Sequence, residues 1–263
     1  MVLALTLIAC IGFFFAPLGL GGGILYAPVL IYISGWDVDG WLLVTSLLLT
    51  LGVATGSGHA HRRANHLHTP SLKIAVQGAV PGAMIGVLIV LLIGDGLDVA
   101  FRVLAALVIL MALIRMSRDP TEHGSDHHLR PASLRLGAGI GGSLSSILAI
   151  GGGAVYVPLL RSAEGVGDRT AVGTSLNLML IVLPIAIVAH GAVWIYVEGL
   201  PSGWALAVPV LGPWAAVLGA RMGARVSFTH LSERTIRRLF SVVLVLILSQ
   251  YAIDLVGQGM GWS

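Results

Sequence analysis

Residues 19–30 read "GLGGGILYAPVL", and residues 149–160 read "AIGGGAVYVPLL". The two stretches share Gly-Gly-Gly-x-x-Tyr-x-Pro-x-Leu, 130 positions apart. Three consecutive glycines stop a helix at little steric cost. Both breaks lie inside apolar runs, so the freed N–H and C=O groups must be buried in protein or line a polar cavity. For a lone triplet the competing reading is close helix packing through small residues. Duplication together with the same Tyr and Pro favours a built feature.

The surroundings are those of a membrane protein. Of 263 residues, 56% are hydrophobic and only 10% are charged, with a mean hydropathy of +0.93. Soluble domains carry nearer a quarter charged residues. Apolar runs of spanning length recur, where a transmembrane barrel would show short alternating strands. The formal net charge of +3 sits in short loops between apolar runs, which makes a basic nucleic-acid surface the weaker reading. A single cysteine, Cys10, rules out an internal disulfide.

Eight apolar segments can be drawn, at about 1–33, 42–58, 72–93, 97–115, 134–160, 170–190, 203–220 and 236–254. The polar stretch "SRDPTEHGSDHHLRP" at 117–131 divides them four and four. The halves repeat beyond the glycines: "VTSLLLTLGV" at 44–53 matches "GTSLNLMLIV" at 173–182, and "GAMIG" at 82–86 resembles "AAVLG" at 215–219.

Positive charge sets the topology. If all eight segments cross fully, the two sides receive 7 and 8 of the 15 basic residues, which is no bias. If the two Gly-Gly-Gly segments instead enter and return on one side, loops 59–73, 115–135, 161–169 and 221–238 share a face and hold 14 of the 15. Only Arg102 stays outside, beside Asp98. The re-entrant arrangement leaves three full spans per half, an odd number, so the halves have opposite orientation. The expected fold is an all-α polytopic membrane protein of two inverted-topology repeats, each a Gly-broken re-entrant hairpin plus three transmembrane helices. Residues 1–116 form the first repeat, 117–133 a cytoplasmic linker and 134–263 the second repeat. Both termini are expected outside. Inverted repeats with interrupted helices near the midplane are a transporter architecture.

Residues 24–33 and 154–160 read as short half-helices whose N-termini carry free N–H groups and the positive end of the dipole. Two such ends converging from opposite faces suit an anion. Thr45 and Ser46 match Thr174 and Ser175, followed by Asn177. These neutral donors hydrogen-bond an oxyanion without bringing a fixed charge into lipid, although Ser and Thr in helices often bond only their own backbone. Asn177 is more telling, since a buried amide needs a partner. Gln77 and His190 lie near segment ends. No Asp, Glu, Lys or Arg falls in the middle of any span, which argues against a carboxylate-based cation exchanger and leaves energy coupling open.

The histidines of "HAHRRANHLH" at 59–68 and "EHGSDHH" at 122–128 suit zinc or copper in type. They lack cysteine partners and a tight ligand spacing, so a solvated loop is expected. No nucleophile–base set and no P-loop occurs. The chain reads as a non-enzyme without cofactor or metal.

The duplicated glycine motif with its Thr-Ser element, extending over essentially the whole chain, resembles the TauE/SafE sulfite exporter family. The resemblance implies a bacterial inner-membrane carrier of sulfite, organosulfonates or related sulfur-containing anions, with a small anion and the lipid bilayer as partners and no nucleic acid. By motif match it carries substrate binding to Gly21, Gly22, Gly23, Thr45 and Ser46, and to Gly151, Gly152, Gly153, Thr174, Ser175 and Asn177. One departure is that Leu47–Leu48 stands where the second half has Leu176–Asn177. An anion channel on the same hairpins, and a metal-handling protein using the histidine loops, are the alternatives.

Overall fold

The computed structural model describes residues 2–15, 22–117, 130–163, 166–199, 206–227 and 233–259. These form helices α1 (Val2–Phe15), α2 (Gly23–Pro28), α3 (Gly40–Arg63), α4 (Thr69–Ile93), α5 (Leu97–Ser117), α6 (Pro131–Leu148), α7 (Gly153–Arg161), α8 (Asp168–Val197), α9 (Ala207–Ser227) and α10 (Glu233–Gly259). A π-helical turn, Val29–Ile33, continues α2, and a 3-10 turn, Gly94–Gly96, joins α4 to α5. No strand occurs among the described residues. The eight apolar segments map onto α1–α2, α3, α4, α5, α6–α7, α8, α9 and α10. Of the linker, 118–129 lies outside the described residues.

Both Gly-Gly-Gly segments are helical hairpins. In the first, a Cβ on Gly22 would sit 2.8 Å from Ile11 Cγ2, and the Tyr26 hydroxyl donates to the Ile8 carbonyl at 3.4 Å. Position 22 thus lies beside 11 and position 26 beside 8, so the chain runs back along itself. In the second, Gly141 faces the Tyr156 ring and Gly137 faces Leu159, the same reversed register. Tyr26 and Tyr156, the motif tyrosines, are fully buried wedges between the arms. Pro28 has no N–H to give to the preceding turn, and the helix passes there into the wider π turn.

The halves exchange partners. Arm α1 packs along α9, and arm α6 along α4. These contacts are close because small residues line them: the Gly78, Gly82 and Gly86 stripe of α4 faces Arg135, Gly139 and Ser143 of α6, so that a methyl at any of the three would overlap a backbone carbonyl. Gly219 and Gly223 do the same for α9 against Ala9 and Phe13. Numbering rises together in each pair, so α4 runs parallel to α6 and α9 parallel to α1.

Helices α3 and α8 form the centre, and α5 packs with α10 at the periphery. Gly58 approaches Leu176 and Leu180, while Gly173 meets His61 and His66; the numbering falls as it rises, so α3 and α8 are antiparallel. Helix α3 is almost wholly buried, with Leu42, Leu43, Leu47, Leu49 and Val53 at 0% exposure. Outer helices present Leu88, Leu92, Leu107, Trp214 and Leu246 to the surroundings, an apolar girdle of the kind lipid covers.

Candidate functional site

Helix α6 ends at Leu148, and Ala149 turns left-handed (φ 52°) as its cap. Gly151 (φ 74°) and Gly152 (φ 75°) continue the reversal before α7 starts at Gly153. A side chain would be strained at both positions, and a methyl on Gly151 would overlap Thr50 Cγ2. Met179 Sδ lies 3.6 Å from the same point, so this tip is wedged between α3 and α8. Thr50 and Met179 occupy equivalent positions of the two halves.

The first tip ends at Gly22 (φ 70°), with α2 beginning at Gly23. Gly21 lies outside the described residues. Gly23 abuts the backbone of Ile150 so tightly that an added Cβ would fall 2.5 Å from the Ile150 carbonyl carbon. The two glycine turns therefore touch.

The other predicted residues divide into two groups. Ser46 donates to the Ala149 carbonyl at 2.9 Å, satisfying an acceptor released where α6 stops. Its neighbour Thr45 is fully buried and its hydroxyl has no partner. Thr50 bonds back to the Ser46 carbonyl at 2.9 Å. At the other end, the Thr174 hydroxyl accepts from the His68 backbone N–H at 2.9 Å, tying α8 to the α3–α4 connection. Ser175 is buried with an unpartnered hydroxyl. Asn177, 7% exposed, gives its amide N–H to the Gly173 carbonyl at 2.8 Å, an intrahelical bond.

The structure does not bring the two Thr-Ser pairs together. Antiparallel helices place equivalent residues at opposite ends, and at 1.5 Å per residue Thr45 lies about 27 Å along α3 from Arg63, beyond which His68 meets Thr174. Ser46 alone of the four touches a glycine turn among the described contacts.

Three further polar residues collect at the second tip. Ser145 and Ser146 are buried in the last turn of α6 with unpartnered hydroxyls. His190 of α8, 1% exposed, approaches the Ser146 carbonyl through Nε2 at 3.2 Å, and its Nδ1 has no partner. The sequence carried a signal for this histidine: His61 and His190 are separated by 129 positions, as are Thr45 and Thr174. Gln77 is exposed.

At the end of the first hairpin a small ion cluster forms. Arg102 bonds Asp98 at 2.8 Å and also Asp254, while Tyr32, at the end of the first hairpin, donates to Asp254 at 2.7 Å. The one basic residue that the charge count leaves outside is thus paired. Asp39 caps α3, its Oδ1 accepting from Leu42 N–H at 2.7 Å, yet burial pushes its carboxyl above the ordinary range. Burial, and then the charge of Asp39, raise Glu198 as well. On the opposite face, His59 is exposed, the His61 and His66 rings lie 5.6 Å apart, and His68 Nδ1 pairs with the Ser71 hydroxyl at 2.8 Å. No group of three or more His, Cys, Asp or Glu side chains with metal-holding geometry occurs among the described residues. The run 122–128 lies outside them.

Broken helices packed tip to tip inside a girdle of apolar helices define a multi-pass helical membrane protein of the transporter class. The family model of the sulfite exporter TauE/SafE matches residues 4–251, and the chain belongs to that family. It is 32% identical to a "probable membrane transporter protein" of Haemophilus influenzae over 181 residues, 66% of this chain and 67% of that one. It is 27% identical to the "probable membrane transporter protein YunE" of Bacillus subtilis over 256 residues, covering 88% and 89%. A Xylella fastidiosa protein of the same description is 26% identical over 249 residues, covering 90% and 89%. No solved structure matches the chain.

Proposed function

We propose that this protein is a secondary transporter of small sulfur-containing anions, sulfite and organosulfonates, in a bacterial inner membrane. The observation that carries the reading is the contact between the two glycine turns, Gly23 on Ile150, at the centre of the bundle. The described residues of both turns are buried, and the hydroxyls around the second are neutral: Ser46 and Thr50 donate to backbone carbonyls, while those of Ser145 and Ser146 have no partner among the described residues. Such a surround accepts an anion without a permanent countercharge in the membrane.

The antiparallel course of α3 and α8, which carry equivalent Thr-Ser elements, supports two inverted repeats. So does the exchange of arms, α1 onto α9 and α6 onto α4. Transport proceeds by alternating access, one hairpin pair rocking against the other around the touching tips. The charge distribution orients the loop between α3 and α4 to the cytoplasm and both termini to the periplasm.

The test is counterflow of labelled sulfite and of small sulfonates in proteoliposomes. Saturable counterflow is expected in the wild type. Gly151→Val, which drives a side chain into Thr50, is expected to abolish it, and Ser145→Ala and Ser146→Ala to reduce it. Unchanged flux in all three variants overturns the site. Conductance without counterflow assigns the same hairpins to a channel.

A further inference from the structure

The residues that bind an anion do not explain what drives it, and at the second hairpin tip a buried histidine is left unused by the anion site. His190 lies at the second hairpin tip, 1% exposed. Its Nε2 faces the Ser146 carbonyl at 3.2 Å. A carbonyl only accepts, so Nε2 carries the hydrogen, and in the neutral ring Nδ1 is left as a lone pair. That lone pair has no donor among the described residues. An ionised sulfite or sulfonate oxygen is itself an acceptor and cannot satisfy it. A proton can.

We propose that His190 takes up one proton for each anion carried, making the protein a proton-coupled anion transporter. This rests on the anion-transport reading above. Protonation turns Nδ1 from an acceptor into a donor, and the imidazolium is then paired by the anion held at the glycine turns. Each partner alone is a buried unpaired charge, which costs several kcal/mol; together they are neutral. The two ligands thus favour one another's binding, which is the coupling a secondary carrier needs. Atoms and charge balance simply: one proton enters on Nδ1 with the anion and leaves with it on the far side.

The neighbouring elements leave the proton to this ring. From Val76 to Ile93, α4 has no charged residue, and the only one in α6 is Arg135, near its far end. On α3 the nearest acidic group is Asp39, at the outer end, and on α8 it is Glu198. Burial holds both carboxyls above their ordinary range at the outer mouth, and Glu198 lies about 12 Å along α8 from His190 at helical rise. His61 occupies the equivalent buried position at the opposite end of the antiparallel pair, where the proton meets the other face.

The experiment uses methanesulfonate, which stays ionised throughout the working range, so that any proton moved is not on the substrate. Proteoliposomes of the full chain are clamped at zero membrane potential and given a pH difference. One proton per anion predicts about tenfold accumulation for each pH unit, since a tenfold ratio equals 1.4 kcal/mol. His190→Gln keeps an N–H for Ser146 but cannot be protonated; it is expected to lose the accumulation and, lacking the paired charge, to exchange labelled methanesulfonate only with a raised half-saturating concentration. His190→Asn serves if the glutamine variant does not reconstitute. Wild-type counterflow with no response to the pH difference overturns the proposal and leaves anion transport standing. Accumulation by the glutamine variant equal to wild type also overturns it, as does loss of exchange in both variants, which marks His190 as structural. Absence of any anion flux in the wild type, with sulfite as well as methanesulfonate, overturns the transport reading and the proposal together.

Discussion

Gly23 has no room for a side chain: an alanine Cβ there would overlap the backbone of Ile150, which cannot swing aside as a side chain would. Overpacking of this kind costs about 1–3 kcal/mol. Gly23→Ala is expected to lower the thermal midpoint and to abolish counterflow, because it parts the two hairpin tips. Gly191→Ala, inside α8 with open space around it and no left-handed backbone, is the control and should lower neither. Ser46 gives a second residue-scale test. Removing its hydroxyl leaves the Ala149 carbonyl buried without its donor, a loss of about 1–3 kcal/mol. Ser46→Ala is therefore expected to lower the midpoint clearly, whereas Thr55→Ala, whose hydroxyl bonds only its own helix at an exposed position, should do so little.

Among the elements, the Arg102 cluster holds the end of the first hairpin to α5 and α10. The side chains of Arg102, Asp98 and Asp254 are 12%, 32% and 23% exposed, so the cluster is largely but not wholly desolvated. Breaking a fully buried pair costs about 3–5 kcal/mol. For Arg102→Gln, partial solvation reduces this to about 1–3 kcal/mol, read as a lowered midpoint. At the start of α3, burial raises Asp39, and it raises Glu198 together with the Asp39 charge. Both groups bind protons more tightly folded than unfolded. The folded state therefore holds the extra protons just above the ordinary carboxylate range, and stability falls as pH rises through that window. Asp39→Asn keeps an N-cap oxygen for Leu42 and should flatten this part of the midpoint–pH curve. A curve unchanged by the substitution would remove Asp39 as its source.

For the whole molecule the prediction is topological. In a Cys10→Ser background, cysteines at Gly35 and Asp95 are expected to react with an impermeant maleimide from the periplasm, and one at Asn65 only after the cytoplasmic face is opened. These positions bracket α3 and α4, and the first lies just after the first hairpin. Labelling of a cysteine at Leu3 from the face opposite to that of Gly35 would overturn the re-entrant assignment. The charge count behind this prediction needed no coordinates. Fourteen of 15 basic residues fall on one side once the glycine segments are folded back, and the structure has both segments as antiparallel hairpins. The outlier, Arg102, is balanced by Asp98 and Asp254.

The eight apolar segments, the helix breaks at both glycine triplets and the pairing of equivalent motifs were determined by local chemistry, and each is readable from one chain. Both glycine triplets end helices, apolar length dictates spanning, and loop charge records the side. Only the tertiary structure decided which equivalent residues meet. Thr45 with Ser46 and Thr174 with Ser175 look like two halves of one site in the sequence, yet antiparallel packing of α3 on α8 sends them to opposite ends. The same packing brings Ser46 of α3 and His190 of α8 to the last turn of α6, at Ala149 and Ser146, although the three helices share no motif there. Spacing along a chain reports which face of a helix a residue shares. It does not report which way the neighbouring helix runs, and here that direction determines what surrounds each glycine turn.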